Sequence, residues 1–152
     1  MSNRIAFVGV GRMGANMARH LKLDKNYAVT AVYDINREVA SALATELGAT
    51  AYEKLADVTA NADVIITVVT NDAAMRAIYT NADDNLLQGA SGKVFIDCAT
   101  LSPAIHREVS AAQTAAGAQN LEACMASSIS HARSGELYLM LAGDQAAYGA
   151  NQ

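Results

Sequence analysis

The chain of 152 residues contains little cysteine and no tryptophan. Its two cysteines, Cys98 and Cys124, lie far apart, and neither belongs to a C-x-x-C pair or has a pair of histidines nearby. This pattern excludes a disulfide framework and gives no indication of a zinc site, so we expect no metal. A chain without disulfides is typical of the cytoplasm, which is where we expect this protein.

Basic residues are also few, and they are scattered. The chain has 11 Lys and Arg against 15 Asp and Glu, which gives a net charge of −4. Without a basic stripe, neither nucleic acid nor an anionic membrane surface is expected as a partner. No apolar run approaches the roughly 18 residues of a membrane span, and the first run is too short for a signal peptide. A small molecule is the expected partner.

Short apolar runs separated by segments of helical periodicity make up the rest of the chain. Runs at 5–10, 28–33, 64–69 and 94–97 are apolar on both faces, as in parallel strands that helices cover on each side. Two more strands are expected at 120–125 and 137–142. We therefore predict one α/β domain over residues 1–152, with a doubly wound, mostly parallel sheet.

Helix boundaries are visible at several positions. Asn36 begins a helix that Gly48 ends, Ser102 and Pro103 begin another, and Asp144 could cap a last one. The helix after Gly11 carries Met13, Met17 and Leu21 at intervals of four residues. His20 and His106 are expected on helix surfaces, without a functional role.

A glycine-rich turn follows the first strand. It consists of Gly9, Val10, Gly11, Arg12, Met13 and Gly14, which match G-x-G-x-x-G between a strand and a helix. In this context Gly9 permits the tight turn, Gly11 lets the backbone approach a pyrophosphate, and Gly14 lets the helix pack on the strand. The helix N-terminus would hold the anion. The alternative is that these are ordinary turn glycines.

Asp34 ends the second strand, where an acidic residue accepts hydrogen bonds from the ribose hydroxyls of adenosine and repels a 2′-phosphate. The pattern therefore favours NAD over NADP as cofactor. Arg37 follows three residues later and could pair with a phosphate, which leaves NADP possible.

The segment from Ile5 to Ala18, IAFVGVGRMGANMA, resembles the opening motif of the β-hydroxyacid dehydrogenases, I-G-F-I-G-L-G-x-M-G-x-x-M-A. This family includes 3-hydroxyisobutyrate dehydrogenase and the cofactor domain of 6-phosphogluconate dehydrogenase. The resemblance implies a Rossmann-type NAD-binding domain of an oxidoreductase that moves hydride between nicotinamide and a small 3-hydroxy acid. It also implies that the backbone at Val69 and Thr70 contacts the cofactor and that Thr100 lies near the nicotinamide.

The chain departs from the family in the loop that holds the substrate carboxylate. The family's Ser-Gly-Gly is Ala126-Ser127-Ser128 here. These residues are still expected to bind substrate, with the serine hydroxyls as donors. The change also leaves open a reductase with another carbonyl or imine substrate. His131 and Arg133 could add positive charge or be solvated.

The family's acid/base lysine lies on a helix after the cofactor domain, and none of the lysines here matches it. The resemblance therefore implies a chain with no catalytic residue of its own, inactive alone, that is part of a longer enzyme. An unpaired apolar sheet edge would favour self-association, so a homo-oligomer is expected. The alternatives are a non-catalytic NAD-binding module and an S-adenosylmethionine-dependent methyltransferase, which also has an acidic residue after its second strand.

Overall fold

Residues 3–151, which the computed structural model describes, form seven strands that alternate with seven helices. The strands are β1 (Asn3–Val8), β2 (Tyr27–Tyr33), β3 (Thr50–Ala51), β4 (Val64–Thr67), β5 (Val94–Asp97), β6 (Gln119–Met125) and β7 (Leu139–Gly143). The helices are α1 (Arg12–Leu21), α2 (Arg37–Leu47), α3 (Leu55–Ala60), α4 (Asp72–Thr80), α5 (Pro103–Ala115), α6 (Ile129–Ser134) and α7 (Gln145–Ala150).

All seven strands belong to one sheet, in the order β3-β2-β1-β4-β5-β6-β7. Neighbouring strands are parallel except β7, which runs antiparallel to β6. The chain winds outward from β1 in one direction and from β4 in the other, so the sheet is doubly wound, as predicted. In such a sheet, ligands bind outside the carboxyl ends of the strands where the winding direction changes. Here that point lies between β1 and β4.

Both faces of the sheet are buried, which explains why the strand sequences are apolar throughout. One face packs Val8, Ile65 and Phe95 against α3, α4 and α5. The other packs Phe7 and Val32 against α1 and α2.

The predicted helix caps are confirmed. The side chains of Asn36, Ser102 and Asp144 accept hydrogen bonds from the first turns of α2, α5 and α7. Gly48 ends α2 in the left-handed conformation, with φ 70°.

The structure differs from the prediction in three respects. The strands β1 and β4 end two residues earlier than expected, at Val8 and Thr67, and β7 begins two residues later, at Leu139. The elements β3, α3, α4 and α6 were not predicted, and the shortest of them lack the length to show a period. His106 was wrongly placed on a helix surface: it is only 6% exposed, and Nδ1 lies 3.9 Å from Oε1 of Glu122 on β6.

β7 forms one edge of the sheet and exposes Leu139, Met140 and Leu141, and Tyr138 directly before it is exposed as well. An exposed apolar edge strand is a template for association. Within residues 3–151, no helix is both long and apolar enough to cross a membrane.

Candidate functional site

A cleft of about 580 Å³ opens at the carboxyl ends of β1, β2 and β4, where the winding direction of the sheet changes. Five residues predicted to bind the cofactor line it: Gly9, Gly11, Asp34, Val69 and Thr70. The other lining residues are Val8, Tyr33, Ile35, Leu55, Val68, Ala73, Ala74, Ala77, Ile78, Asn81 and Asp84.

Two glycines of the predicted turn are required by the packing of the protein itself. Gly9 has φ +88°, and a Cβ atom there would overlap the backbone carbonyl of Val68 at the end of β4. A Cβ atom at Gly14 would overlap the carbonyl oxygen of Gly9. The helix α1 therefore packs on the end of β1 closely enough that even an alanine side chain has no space.

Gly11 has a different environment. It is the N-cap of α1 with an ordinary φ of −65°, and a Cβ atom there would meet nothing within 4 Å in the described residues. Because glycine has no side chain to cap the helix, it leaves the N–H groups of the first turn, at Arg12 and Met13, uncapped. Such groups bind anions. The exposed backbone of Gly11 thus leaves space for a ligand rather than for a neighbouring part of the protein.

The Asp34 carboxylate is fixed by the backbone on both sides. The Val10 N–H donates to Oδ2 at 2.9 Å, and the Asn36 N–H donates to Oδ1 at 2.8 Å. A carboxylate offers about four lone-pair positions, so two remain for a ligand. The side chain of Val10 is fully buried and its N–H is already bonded. Val10 therefore holds Asp34 in place rather than lining the cleft.

The wall around Asp34 is acidic. Asp84 lines the same cleft, and its carboxylate caps α3 by accepting hydrogen bonds from the N–H groups of Leu55 and Ala56, at 2.8 and 3.0 Å. Burial raises the pKa of the nearby Tyr33 phenol, Asp84 and Asp34 raise it further, and Arg37 opposes them. The lining residues include no Lys, Arg or His. This end of the cleft favours a neutral group with hydroxyl donors.

Arg37 lies outside the cleft lining, at the start of α2. Its guanidinium lies 3.0 Å from the carboxylate of Glu53, which follows β3. Both side chains are about 70% exposed: 70% for Arg37 and 69% for Glu53.

Thr100 and the predicted substrate loop lie beyond the lining of this cleft. Thr100 is exposed three residues after the end of β5. The Ala126 N–H donates to the carbonyl of Tyr138 at 3.0 Å, and Ser127 Oγ accepts from the Tyr138 N–H at 2.8 Å. Ser127 thus keeps its hydroxyl proton for a ligand.

The hydroxyl of Ser128 is used within α6. Its Oγ lies 2.9 Å from Nδ1 of His131 and 2.7 Å from Oγ of Ser130, and the Ser128 N–H donates to Nδ1 of His131 at 3.2 Å. Arg133 donates to Oδ1 of Asn16 on α1 at 3.3 Å. His131 and Arg133 are therefore engaged in holding α6 and its contact with α1, rather than free to supply charge to a substrate.

A buried polar cluster lies beneath the carboxyl ends of β4 and β5. The hydroxyls of Thr67 and Tyr79 donate to Oδ1 of Asp97, and the side-chain amide of Gln113 donates to Oδ2 at 2.8 Å. Burial raises the pKa of Asp97, although the three hydrogen bonds oppose the shift. The cluster joins α4 and α5 to the sheet next to the segment that carries Thr100.

Sequence reasoning missed several of these residues. Tyr33, Ile35 and Asp84 line the cleft. Ile35 is 90% exposed in the structure, and the sequence signal available for it was an apolar residue directly after Asp34. No sequence signal connects Asp84 to the cleft, because it reaches the cleft only through the packing of α3 and α4.

Comparison with known proteins identifies the family. The family described as the NAD binding domain of 6-phosphogluconate dehydrogenase matches residues 4–152. The mitochondrial 3-hydroxyisobutyrate dehydrogenase of Drosophila melanogaster is 33% identical over 150 residues, which are 98% of this chain and 44% of that protein. The NAD-dependent L-serine dehydrogenase of Pseudomonas aeruginosa is 31% identical over 141 residues, 93% of this chain and 46% of that protein.

A solved structure shows the same fold. The 3-hydroxyisobutyrate dehydrogenase of Mycobacterium tuberculosis, solved with L-serine, has a TM-score of 0.88 and 29% identity, and the match covers 100% of this chain and 50% of that chain. The chain thus spans about half the length of these relatives. With a family match over nearly its whole length, the chain belongs to the family of NAD-binding domains represented by that of 6-phosphogluconate dehydrogenase.

Proposed function

We propose that the cleft holds the adenosine half of NAD, with the pyrophosphate over the N-terminus of α1. The observation that carries this proposal is the contrast among the three glycines. Gly9 and Gly14 are needed for packing, whereas the open space at Gly11 lies beside uncapped N–H groups. A pyrophosphate there would accept hydrogen bonds at Gly11, Arg12 and Met13. Val69 and Thr70 would line the opposite side of the cofactor.

The acidic end of the cleft supports NAD over NADP. Asp34 has two lone-pair positions left for the two ribose hydroxyls, and Asp84 adds a second negative charge to the same wall. A 2′-phosphate would meet these charges in a cleft whose described lining has no cation. The exposed side chain of Ile35 offers the adenine ring an apolar surface.

We propose further that the chain serves an oxidoreductase that moves hydride between nicotinamide and a small 3-hydroxy acid or its carbonyl form. Two relatives act on or bind such acids, as their names state. The cofactor supplies the hydride chemistry, and this chain binds and orients it. Thr100 would hold the nicotinamide end. No residue of this chain is proposed as acid or base.

The substrate loop favours a second candidate, a reductase for a different carbonyl or an imine. In place of Ser-Gly-Gly, the chain has Ala126, whose N–H is bonded to Tyr138, and Ser128, whose hydroxyl is bonded to the side chains of Ser130 and His131. Of the two serines, Ser127 keeps its hydroxyl proton free for a ligand. The loop therefore offers a substrate carboxylate fewer hydrogen-bond donors than the family's Ser-Gly-Gly does. A cytoplasmic location and a homo-oligomer associating through the β7 edge remain part of the proposal.

Replacing Asp34 by alanine is expected to weaken NADH binding about tenfold, because a hydrogen-bonded carboxylate is lost. NADPH binding should weaken less, since the same change removes a repulsive charge. Dissociation constants of both dinucleotides, measured by nicotinamide fluorescence, check this prediction. An unchanged ratio of the two constants would contradict the ribose role of Asp34.

A further inference from the structure

The ion pair of Arg37 and Glu53 lies at the same sheet edge as Asp34. β2 and β3 are parallel neighbours, with Ala31 beside Thr50 and Val32 beside Ala51. The segments that follow these two strands therefore emerge side by side. Asp34 and Arg37 lie in the first segment and Glu53 in the second, and this brings the carboxylate of Glu53 to 3.0 Å from the guanidinium of Arg37.

Arg37 is a basic side chain close enough to this end of the cleft to serve a phosphate. The described lining of the cleft contains Asp34 and Asp84 but no Lys, Arg or His. Arg37 lies just outside, and its charge reaches the cleft, because it opposes the effect of the two aspartates on the pKa of Tyr33. A guanidinium binds phosphate through paired N–H donors. With Glu53 in place, one of those nitrogens, Nη1, lies 3.0 Å from a carboxylate oxygen instead.

We propose that Glu53 is a specificity-determining residue, which keeps Arg37 from a 2′-phosphate and thereby favours NAD over NADP. This inference rests on the proposed function of the cleft. Glu53 acts in two ways: its carboxylate pairs with Nη1 of the guanidinium, and it adds a negative charge to the edge of the sheet that carries Asp34. Discrimination of this kind comes from weakening the wrong ligand, and it requires no contact with NAD itself.

Glu53 is separate from the structural support of the site. Asp34 holds two backbone N–H groups, so its replacement also disturbs the turn. Glu53 is 69% exposed, and within residues 3–151 no backbone N–H donates to it. An exposed ion pair contributes little to stability. Glu53→Gln is therefore expected to fold as the unchanged protein does.

The test compares dissociation constants of NADH and NADPH for the unchanged chain and for Glu53→Gln. We expect NADPH affinity to rise by about three- to tenfold, because one repulsive charge is removed and Arg37 is released. NADH affinity should change by less than about twofold. Glu46→Gln is the control, since it also removes one carboxylate from an arginine, in the Arg19–Glu46 pair, which is 41% and 49% exposed, joins α1 to α2 and has no residue in the cleft lining.

The double variant Arg37→Gln/Glu53→Gln shows whether the gain in NADPH affinity comes from the released Arg37 or only from the loss of the negative charge of Glu53. We expect it to lose most of the gain in NADPH affinity. An unchanged ratio of the two constants in Glu53→Gln, an equal change in Glu46→Gln, or the full gain in the double variant would overturn the inference. If the folded, unchanged chain binds neither dinucleotide, the proposed function fails and this inference with it. If NADH binds and Glu53→Gln leaves the ratio of the NADH and NADPH dissociation constants unchanged, the proposed function stands and only the role of Glu53 is wrong.

Discussion

Gly11→Ala is expected to lower the affinity for NADH at least tenfold while lowering the free energy of unfolding by less than about 1 kcal/mol, the difference between the two residues at an N-cap. The added methyl group would meet no atom within 4 Å in the described residues, and φ at this position is an ordinary −65°. It would, however, occupy the space in which we propose that a pyrophosphate approaches the first turn of α1. Losing a backbone hydrogen bond to a charged group costs about 1.5–3 kcal/mol, which corresponds to tenfold or more in affinity.

Gly14→Ala provides the contrast. Here the methyl group would overlap the carbonyl oxygen of Gly9, so α1 must move away from the end of β1. Overpacking of this kind costs about 1–3 kcal/mol of stability. Urea unfolding and NADH titration of both variants check the prediction. Equal losses of stability in the two variants, or full NADH affinity in Gly11→Ala, would show that Gly11 is an ordinary turn glycine.

Asp97→Ala is expected to lower the free energy of unfolding by about 3 kcal/mol or more. The substitution leaves the hydroxyls of Thr67 and Tyr79 and the amide of Gln113 buried without their acceptor. Each such group costs about 1–3 kcal/mol. Urea unfolding at neutral pH measures the loss. A loss below about 1 kcal/mol would mean that the cluster contributes no more than an average hydrogen bond.

Asp97→Asn is the milder control for this position. The asparagine amide keeps the shape of the carboxylate, and Oε1 of Gln113 is buried without a hydrogen-bond partner. A rotated Gln113 amide can therefore accept a hydrogen bond from the new amide. We expect Asp97→Asn to lose less than half of what Asp97→Ala loses.

The difference in the free energy of unfolding between the unchanged protein and Asp97→Asn is expected to depend on pH. Burial places the pKa of Asp97 in the folded protein above its ordinary value of 3.8. The folded state therefore holds this proton more tightly than the unfolded state does. The stabilisation is complete below the ordinary pKa and is lost as the pH rises through the raised pKa. The stability of the unchanged protein relative to Asp97→Asn should fall as the pH rises from about 4 towards neutrality. A rising difference would contradict this direction.

The fold and the centre of the site could be predicted because their signals are local. Strands buried on both faces are apolar throughout, the glycine turn is contiguous, and Asp34 follows its strand directly. The residues that were missed depend on packing between distant segments. Asp84 is held at the cleft because its carboxylate caps α3, and Asp97 accepts hydrogen bonds from side chains on β4, α4 and α5. His106 was misplaced because its helical position alone does not show that β6 covers it.

The roles of the substrate-loop residues also depend on contacts that the sequence does not show. Its residue types suggested three positions able to bind a substrate. In the structure, the Ala126 N–H bonds to the segment that enters β7, and the Ser128 hydroxyl bonds to the side chains of Ser130 and His131. Hydrogen bonds made by the protein itself decide which donors remain, and a sequence pattern does not contain those bonds.

Titration of NADH with the purified chain tests most directly whether the cleft is a dinucleotide site. We predict a saturable change in nicotinamide fluorescence with one NADH per chain, reversed by excess NAD⁺ and weakened at least tenfold in the folded Gly11→Ala variant. Circular dichroism and a cooperative unfolding transition establish that both proteins are folded. A folded chain that gives no saturable change, or whose NADH binding is insensitive to Gly11→Ala, would contradict the assignment.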